Sequence, residues 1–530
     1  MLSLKHWLCS AVLYKYSETM KEIKEQITAF FDKSPFVLIH VEQGRLYDQE
    51  ERKSMFQTDP SYYELVSSMP TLLDEPDELD KEHIEKVVKK YFRYVMFSHT
   101  WEGEEPTFEQ VTSKDSVYDL DNSSLNDKLR KFCGTVRDHY EPRWSWSDTC
   151  CINKKDPDIY QKSIRFMYKW YRHSELTLVL LAHPSMSEKA NSTPLEHNRW
   201  MFRAWTLQEL LAPKDIRFYN RNWELHLDGC HSNHKTSPKI REVLQSAMND
   251  VDITLDDFSL DTLTVRDKLR LASTRKATVK VDIAYSLVGI FNSDNHVEYT
   301  REGEVALGLL LQEIVNRQGE ATVLDWIGTP STFNSSLPSD ISVYKDDAYK
   351  PYKLPSIGND MVDQRVKALD NAPSLKEEMF SLYNLLSTLG LPRFSDRRLS
   401  LPCITFPVDD IELADEASLT HRISTVALGK VQFKTQCTRL SKPEKGRAVL
   451  VYPWIRDLLA QIRHREGSKH TRALRLIPYL EKGFRALLFV EQSDQQYRRV
   501  ATDGEILVGE HKLKSLEDVS VEVLEIWEKS

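Results

Sequence analysis

The chain has 530 residues, 41% of them hydrophobic and 28% charged, an ordinary globular composition too long for one core; length alone suggests roughly two to four domains. A net charge of -9 and a pI near 6.0 give no global basic field to hold a polyphosphate backbone, so nucleic acid is a poor first guess. Seven cysteines, spread from Cys9 to Cys437 without a C-x-x-C pair, argue against a disulfide framework and a conventional zinc site.

Near the N-terminus, HWLCSAVLYKY is a short apolar run broken by Lys15, without a small-residue cleavage site and too short to span a bilayer. The expectation is a cytoplasmic, reducing location with no membrane span. Residues 1–90 read as a helical, charged extension, in which DEPDELDKEHIEKVVKK carries Ile84, Val87 and Val88 as one narrow apolar stripe. The texture changes at Tyr91: RYVMFSHTW reads as a buried strand, followed by the acidic loop EGEEP. SLNDKLRKFCGTVRDHY then places Leu125, Leu129, Phe132, Val136 and Tyr140 at helical spacing, and RWSWSDTCCIN reads as a strand ending in polar residues.

Asp156 followed by Pro157 marks a helix start, and Tyr160, Ile164, Met167, Tyr168 and Tyr171 form that helix's buried face. Residues 176–182, LTLVLLA, are a continuous apolar run expected of a parallel strand covered on both faces. Taken as one helix, residues 198–212 put Met201, Ala204, Trp205, Leu211 and Ala212 on one arc, with Gln208 inside it and Glu209 at its edge. A strand, IRFYN, follows. Three further helices, TVRDKLRLASTR, VKVDIAYSLVGIF and GEVALGLLLQEIVNRQ, close an α/β domain over 91–328. Residues 329–372 are Pro/Ser/Asp-rich and read as a linker or surface loop. Residues 373–530 read as a β-rich C-terminal domain: one helix, then LSLPCITFPV, RISTVALGKVQFKT, RAVLVYP, RALLFVEQ, GEILVGE and VSVEVLEIW.

Strands alternating with amphipathic helices imply a mostly parallel sheet, in which ligands sit at the carboxyl ends of the strands. Ser98, His99 and Thr100 fall at the first such end, where they either donate to a ligand or cap the turn. Asp148, Cys151 and Asn153 fall at the second; Asp148 either orients a ligand or caps a loop. Trp101 follows a strand end and either stacks on a ring or joins the core. Arg203 is the best cation for a phosphate, or else a partner for Asp148 or Glu209. Glu209, beside Trp205 and Phe202, is partly desolvated, which raises its pKa and strengthens its hydrogen bonds. It acts chemically or pairs with an arginine. Gln208 and Trp205 line the same helix, and a buried amide must find partners. With no G-x-x-x-x-G-K-[ST], G-x-G-x-x-G or G-x-S-x-G motif, an NTPase, a Rossmann dehydrogenase or an α/β-hydrolase is not expected.

YVMFSHTWEGEEPTF, WSWSDTCCINKKDP with SIRFMYKWYRHSELTLVLL, NRWMFRAWTLQELLAP, and DIAYSLVGIFNSDNHVEYTREGE together resemble the four successive blocks of the fungal heterokaryon-incompatibility (HET) domain. The chain departs from the family at Trp101-Glu102-Gly103, usually Trp-Gly, and at Tyr299-Thr300-Arg301-Glu302-Gly303, usually Tyr-Gly-Glu-Gly. The resemblance implies fungal self/non-self recognition with programmed cell death. Residues 205–210, WTLQEL, are similar to the W-x-L-x-E-L segment of TIR domains, whose glutamate cleaves the nicotinamide–ribose bond of NAD. That likeness implies a TIR/flavodoxin-like sheet flanked by helices, Glu209 as the catalytic group, and Ser98, Trp101, Asp148, Asn153, Arg203, Trp205 and Gln208 around NAD as substrate. No cofactor or metal is expected; protein partners or self-association on activation are. The alternatives are a non-enzymatic signalling or adaptor module and a degenerate regulator.

Overall fold

The computed structural model describes residues 2–67, 81–181, 195, 198–226, 233–247, 263–294, 297–347, 349, 367, 372–415, 419–434, 447–463, 469–493, 495–513, 516 and 519–526. Two compact units divide the chain: the first takes residues 1–263, 275–277 and 285–297, the second residues 264–274, 278–284 and 298–530.

The first unit is built on a six-stranded sheet of β1 (Leu38–His40), β2 (Leu46–Tyr47), β3 (Tyr94–His99), β4 (Trp144–Trp146), β5 (Leu176–Leu180) and β6 (Ile216–Tyr219), in the order β2-β1-β4-β3-β5-β6. The last four are mutually parallel, with Met96 opposite both Trp146 and Thr177, and Thr177 opposite Ile216. β3, β4 and β5 are buried along their whole length, as their unbroken apolar runs require. After β3 the chain crosses to β4 on one side and returns past β3 to β5 on the other, so the strand order reverses at β3.

The crossover helices begin where their caps dictate. Ser123 accepts from Asn126 N ahead of the helix Ser124–His139, and Asp156 accepts from Asp158 N and Ile159 N ahead of Pro157–His173. These helices bury Leu129, Phe132 and Val136, and Ile164, Met167, Trp170 and Tyr171. The expected stripes hold, with Leu125, Tyr140, Tyr160 and Tyr168 half-buried at their margins.

The N-terminal segment differs from the helical extension expected. It contains the helices Leu2–Phe31, Gln49–Gln57, Pro60–Ser67 and Lys81–Phe92, but also donates β1 and β2, which pair antiparallel to the β4 edge. Ile23, Ile27, Leu38, Ile39, Phe56, Ile84 and Val88 share one hydrophobic cluster with Tyr94–Phe97, Trp144 and Trp146, so a boundary at 90/91 falls inside this unit. β1 is only three residues long, too short for alternation to register against its helical surroundings. The acidic run before Lys81, residues 74–80, lies outside the described residues.

The second unit contains all six strand runs read from the sequence, here through Ile526. Its strands are β7 (Arg393–Ser395), β8 (Arg398–Pro407), β9 (Asp410–Asp415), β10 (Thr420–Thr425), β11 (Gly429–Lys434), β12 (Ala448–Tyr452), β13 (Phe484–Ser493), β14 (Gln496–Arg499), β15 (Ile506–Val508) and β16 (Ser520–Ile526). β8 pairs β12, β12 pairs β13, β13 pairs β14, β14 pairs β16, and β16 returns to β8. A ring of odd membership cannot alternate direction throughout, and β14–β16 is the parallel pair that closes it. Closure leaves few free edges to pair with other chains.

The polar stretch after Gly328 is not a free linker over its described part. Ser331, Asn334, Ser335 and Ser336 are fully buried, and Asn334 Nδ2 donates to Arg397 O (2.6 Å) and Ile526 O (3.0 Å). Composition suggested a surface loop; side-chain hydrogen bonds to backbone are what let such residues sit inside. Residues 348, 350–366 and 368–371 lie outside the described residues.

Asp325 anchors this unit. It receives Arg485 and the Tyr349 amide (2.7 Å), and Arg266 Nε lies 3.8 Å away, while Arg499 stacks 3.8 Å from the Trp326 ring centroid and donates to Leu324 O and Trp326 O. Removing a buried ion partner leaves uncompensated charge, at a cost of about 3–5 kcal/mol. Asp325→Ala is therefore expected to lower the unfolding free energy of this unit by that amount in denaturant titration, whereas Asp503→Ala on the surface changes it by less than about 0.5 kcal/mol.

Candidate functional site

β3 ends in Ser98 and His99, whose side chains project to opposite faces of the sheet. His99 stacks on Phe97 (centroids 4.3 Å apart) and lies 3.7 Å from Glu105, which pairs with Lys128. Ser98 points the other way, toward residues 198–212. That segment is not one helix: a 3-10 turn, Arg199–Phe202, precedes the helix Thr206–Leu211, and all six residues of the latter are buried. The break is held from outside. Lys276 N donates to Phe202 O (2.6 Å), Ala204 N donates to Lys276 O (2.9 Å), Thr206 Oγ1 donates to Arg203 O (2.9 Å), and Arg275 Nη1 donates to both Arg203 O (3.0 Å) and Thr206 Oγ1 (2.9 Å). Backbone groups engaged by another segment cannot continue a helical ladder.

This clamp delivers Glu209 to Ser98. Trp200 Nε1 lies 2.8 Å from Ser98 Oγ, and Ser98 Oγ bonds Glu209 Oε2. An indole N–H only donates, so Ser98 accepts from Trp200. Toward Oε2 the hydroxyl donates when Glu209 is ionised, whereas a protonated Glu209 can donate to the second lone pair of Ser98. Glu209 keeps 8% of its accessible surface, and the Tyr171 hydroxyl is a further hydrogen-bond neighbour of its carboxyl.

Burial pushes the Glu209 carboxyl up from 4.5 to about 8, and the field of Asp148 adds to it; the Ser98 bond and the charges of Arg203 and Arg275 oppose the rise. Burial likewise pulls Arg275 down to about 9, with Glu209 holding it up. Tyr171, whose hydroxyl donates to Phe97 O (3.0 Å), is raised well above an ordinary phenol by burial.

Across the strand ends, Trp101 Nε1 donates to Asp148 Oδ2 (2.9 Å), and Lys154 Nζ stands 4.0 Å from the Trp101 ring centroid. Trp101 is 38% exposed, so it is not core. Asp148 is raised by burial, against the fields of Lys154 and Arg203. The half-buried Arg203 side chain forms no ion pair or hydrogen bond among the described residues.

Residues 94–193 match the family model described as Heterokaryon incompatibility protein (HET). The chain carries a HET domain. It is 30% identical over 232 residues to vegetative incompatibility protein HET-E-1 of Podospora anserina, a match covering 43% of this chain and 16% of that relative. The chain thus aligns with less than a fifth of the relative's length. No solved structure matches.

The site's geometry joins Ser98 directly to Glu209 and Trp101 directly to Asp148, with Arg203 acting electrostatically on Glu209 and Asp148. It does not gather the rest of the expected set. Gln208 Nε2 faces Met167 Sδ (3.3 Å) and its Oε1 the backbone of Gly289, where a Cβ would lie 2.3 Å from Tyr168 Cβ; Gln208 is packing. Asn153 Oδ1 accepts from Lys155 N (3.1 Å) in its own turn, and Trp205 packs half-buried on the core. Ser98 and His99 belong to β3 and do not cap its turn. Trp200, Arg275 and Lys154 escaped sequence reading: an indole in an apolar run reads as core, and Arg275 lies 66 positions after Glu209. His234, in the turn after β6, is buried, with Nδ1 accepting from Phe218 N (2.9 Å).

The raised carboxyl has a consequence for stability. Between about pH 4.5 and 8 the folded state holds a proton that the unfolded state has released, so the Glu209 contribution to stability falls as pH rises through that window. Glu209→Gln removes this dependence. Its melting temperature relative to the parent protein is expected to climb from pH 5 to about pH 8 and then level off; a constant difference would contradict the shift.

Proposed function

We propose that this protein acts in vegetative incompatibility and that its HET domain, once activated by assembly or a protein partner in the cytoplasm, hydrolyses the bond between nicotinamide and ribose in NAD. The observation carrying this reading is the carboxyl of Glu209, buried beside the carboxyl end of β3 and forming no ion pair with an arginine among the described residues. That is where the strand order reverses, the place at which open α/β sheets take ligands. The parallel strands run in the order β4-β3-β5-β6, second-first-third-fourth along the chain, in keeping with the TIR-like layout inferred from WTLQEL. The name of the Podospora relative supports the incompatibility role.

In this reading Glu209 as carboxylate accepts from ribose hydroxyls through Oε1 and places negative charge beside the oxocarbenium-like transition state as nicotinamide departs with the bonding electrons. Water adds to the anomeric carbon and loses a proton, giving ADP-ribose. Ser98 and Trp200 keep Oε2 occupied, so the carboxylate meets substrate with one defined atom. A second reading, a non-enzymatic signalling or adaptor module, is favoured by the depth of the same group: Ser98 and Glu209 form a satisfied polar core, and death then follows from recruited partners.

Nicotinamide release from NAD by the purified protein, free and under assembly-promoting conditions, separates the two. Hydrolysis is expected to rise with pH through about 8 as Glu209 ionises, and Glu209→Ala to lower it by about 100-fold or more. Release unaffected by Glu209→Ala, or none under any assembly condition, favours the adaptor reading.

A further inference from the structure

We infer that the carboxyl ends of β3 and β4 form a binding site for a phosphate group, held by Arg203 and Lys154 beside the Trp101 ring. Arg203 is placed without being used. Its backbone is pinned by the bridge to Lys276 and by the bonds that its carbonyl accepts from Arg275 and Thr206, yet its guanidinium closes on neither Asp148 nor Glu209, although its charge acts on both. An unspent guanidinium on a partly exposed residue suits a phosphoryl oxygen better than any other common anion except a carboxylate.

Lys154 is placed as well. Its ammonium lies 4.0 Å from the centroid of an indole whose own N–H is fixed to Asp148, so ring and cation are oriented together. Arg203 and Lys154 both depress the basicity of His99, as Lys128 does, which places the fields of the three cations over the end of one strand. Lys128 pairs with Glu105; Asp148 faces both Arg203 and Lys154, and the charges of Glu109 and Glu105 also act on Lys154. Beneath them, both ring nitrogens of His99 and the hydroxyl of Thr100 are buried without hydrogen bonds among the described residues.

The site deepens the reading above, rests on it for the sugar that Glu209 would meet, and adds the charged part of the ligand. Binding of inorganic phosphate, pyrophosphate, ADP, ADP-ribose and adenosine to the full chain by titration calorimetry tests it. Pyrophosphate, ADP and ADP-ribose are expected to bind with an affinity that falls as salt rises, and adenosine not to bind. Preference for ADP-ribose over pyrophosphate identifies a nucleotide ligand, and equal affinities a free phosphate anion; both support the site. Arg203→Ala is expected to weaken binding by about 10-fold or more, with Arg203→Lys recovering part and Lys154→Ala losing less. Because the Arg203 side chain forms no hydrogen bond or ion pair among the described residues, and acts on Asp148 and Glu209 only through its field, its removal is expected to leave the protein folded with a melting temperature close to the parent's. Binding without NAD hydrolysis would remove the proposed activity and leave the site. Absence of binding at millimolar concentration, or affinity indifferent to Arg203→Ala, overturns the site even if nicotinamide is released.

Discussion

The burial of one carboxyl group at the end of β3, held through Ser98 by Trp200, is the constraint on which the site depends. Trp200 can only donate, so Ser98 accepts from it while the same hydroxyl engages Oε2 of Glu209. Each feature around it serves that arrangement. The Lys276 and Arg275 contacts break what would otherwise be a continuous helix, and the resulting turn brings Trp200 and Glu209 to the same hydroxyl. A straight helix over 198–212 would carry these two side chains nine residues apart, about 13 Å along its axis.

The electrostatics follow from the same burial. A carboxyl in low dielectric either finds a cation or holds its proton, and here the two nearby arginines act at a distance without ion pairing. The protein therefore contains a group that switches from donor to acceptor close to physiological pH. Anything that brings a cation nearer, whether a ligand, a partner or another copy of the chain, would favour the ionised form.

Much of the fold was legible because its signals are long or chemically distinct. The apolar runs at β3 and β5, the Asp156-Pro157 helix start and the six C-terminal strand runs each carry a pattern several residues wide. β1 and β2 did not register, because three and two residues leave no period to detect. The polar stretch after Gly328 misled for the opposite reason: its serines and Asn334 are solvated by backbone atoms instead of water. Around the site, Glu209, Ser98, Asp148, Trp101 and Arg203 were readable as polar groups at strand ends or in an apolar segment. Gln208, one residue from Glu209, is turned about 100° away and packs on Met167, a distinction that depends on a helix frame the sequence did not fix. Trp200 and Arg275 become partners only through tertiary contacts.

The most direct test of the central claim is an isotope-edited infrared titration of the Glu209 carboxyl, taken as the difference between the parent protein and Glu209→Gln. The account predicts a protonated-carboxyl band that persists at neutral pH and disappears with a midpoint near 8. A carboxylate band already complete at pH 6 would show an ordinary, solvated glutamate and contradict it.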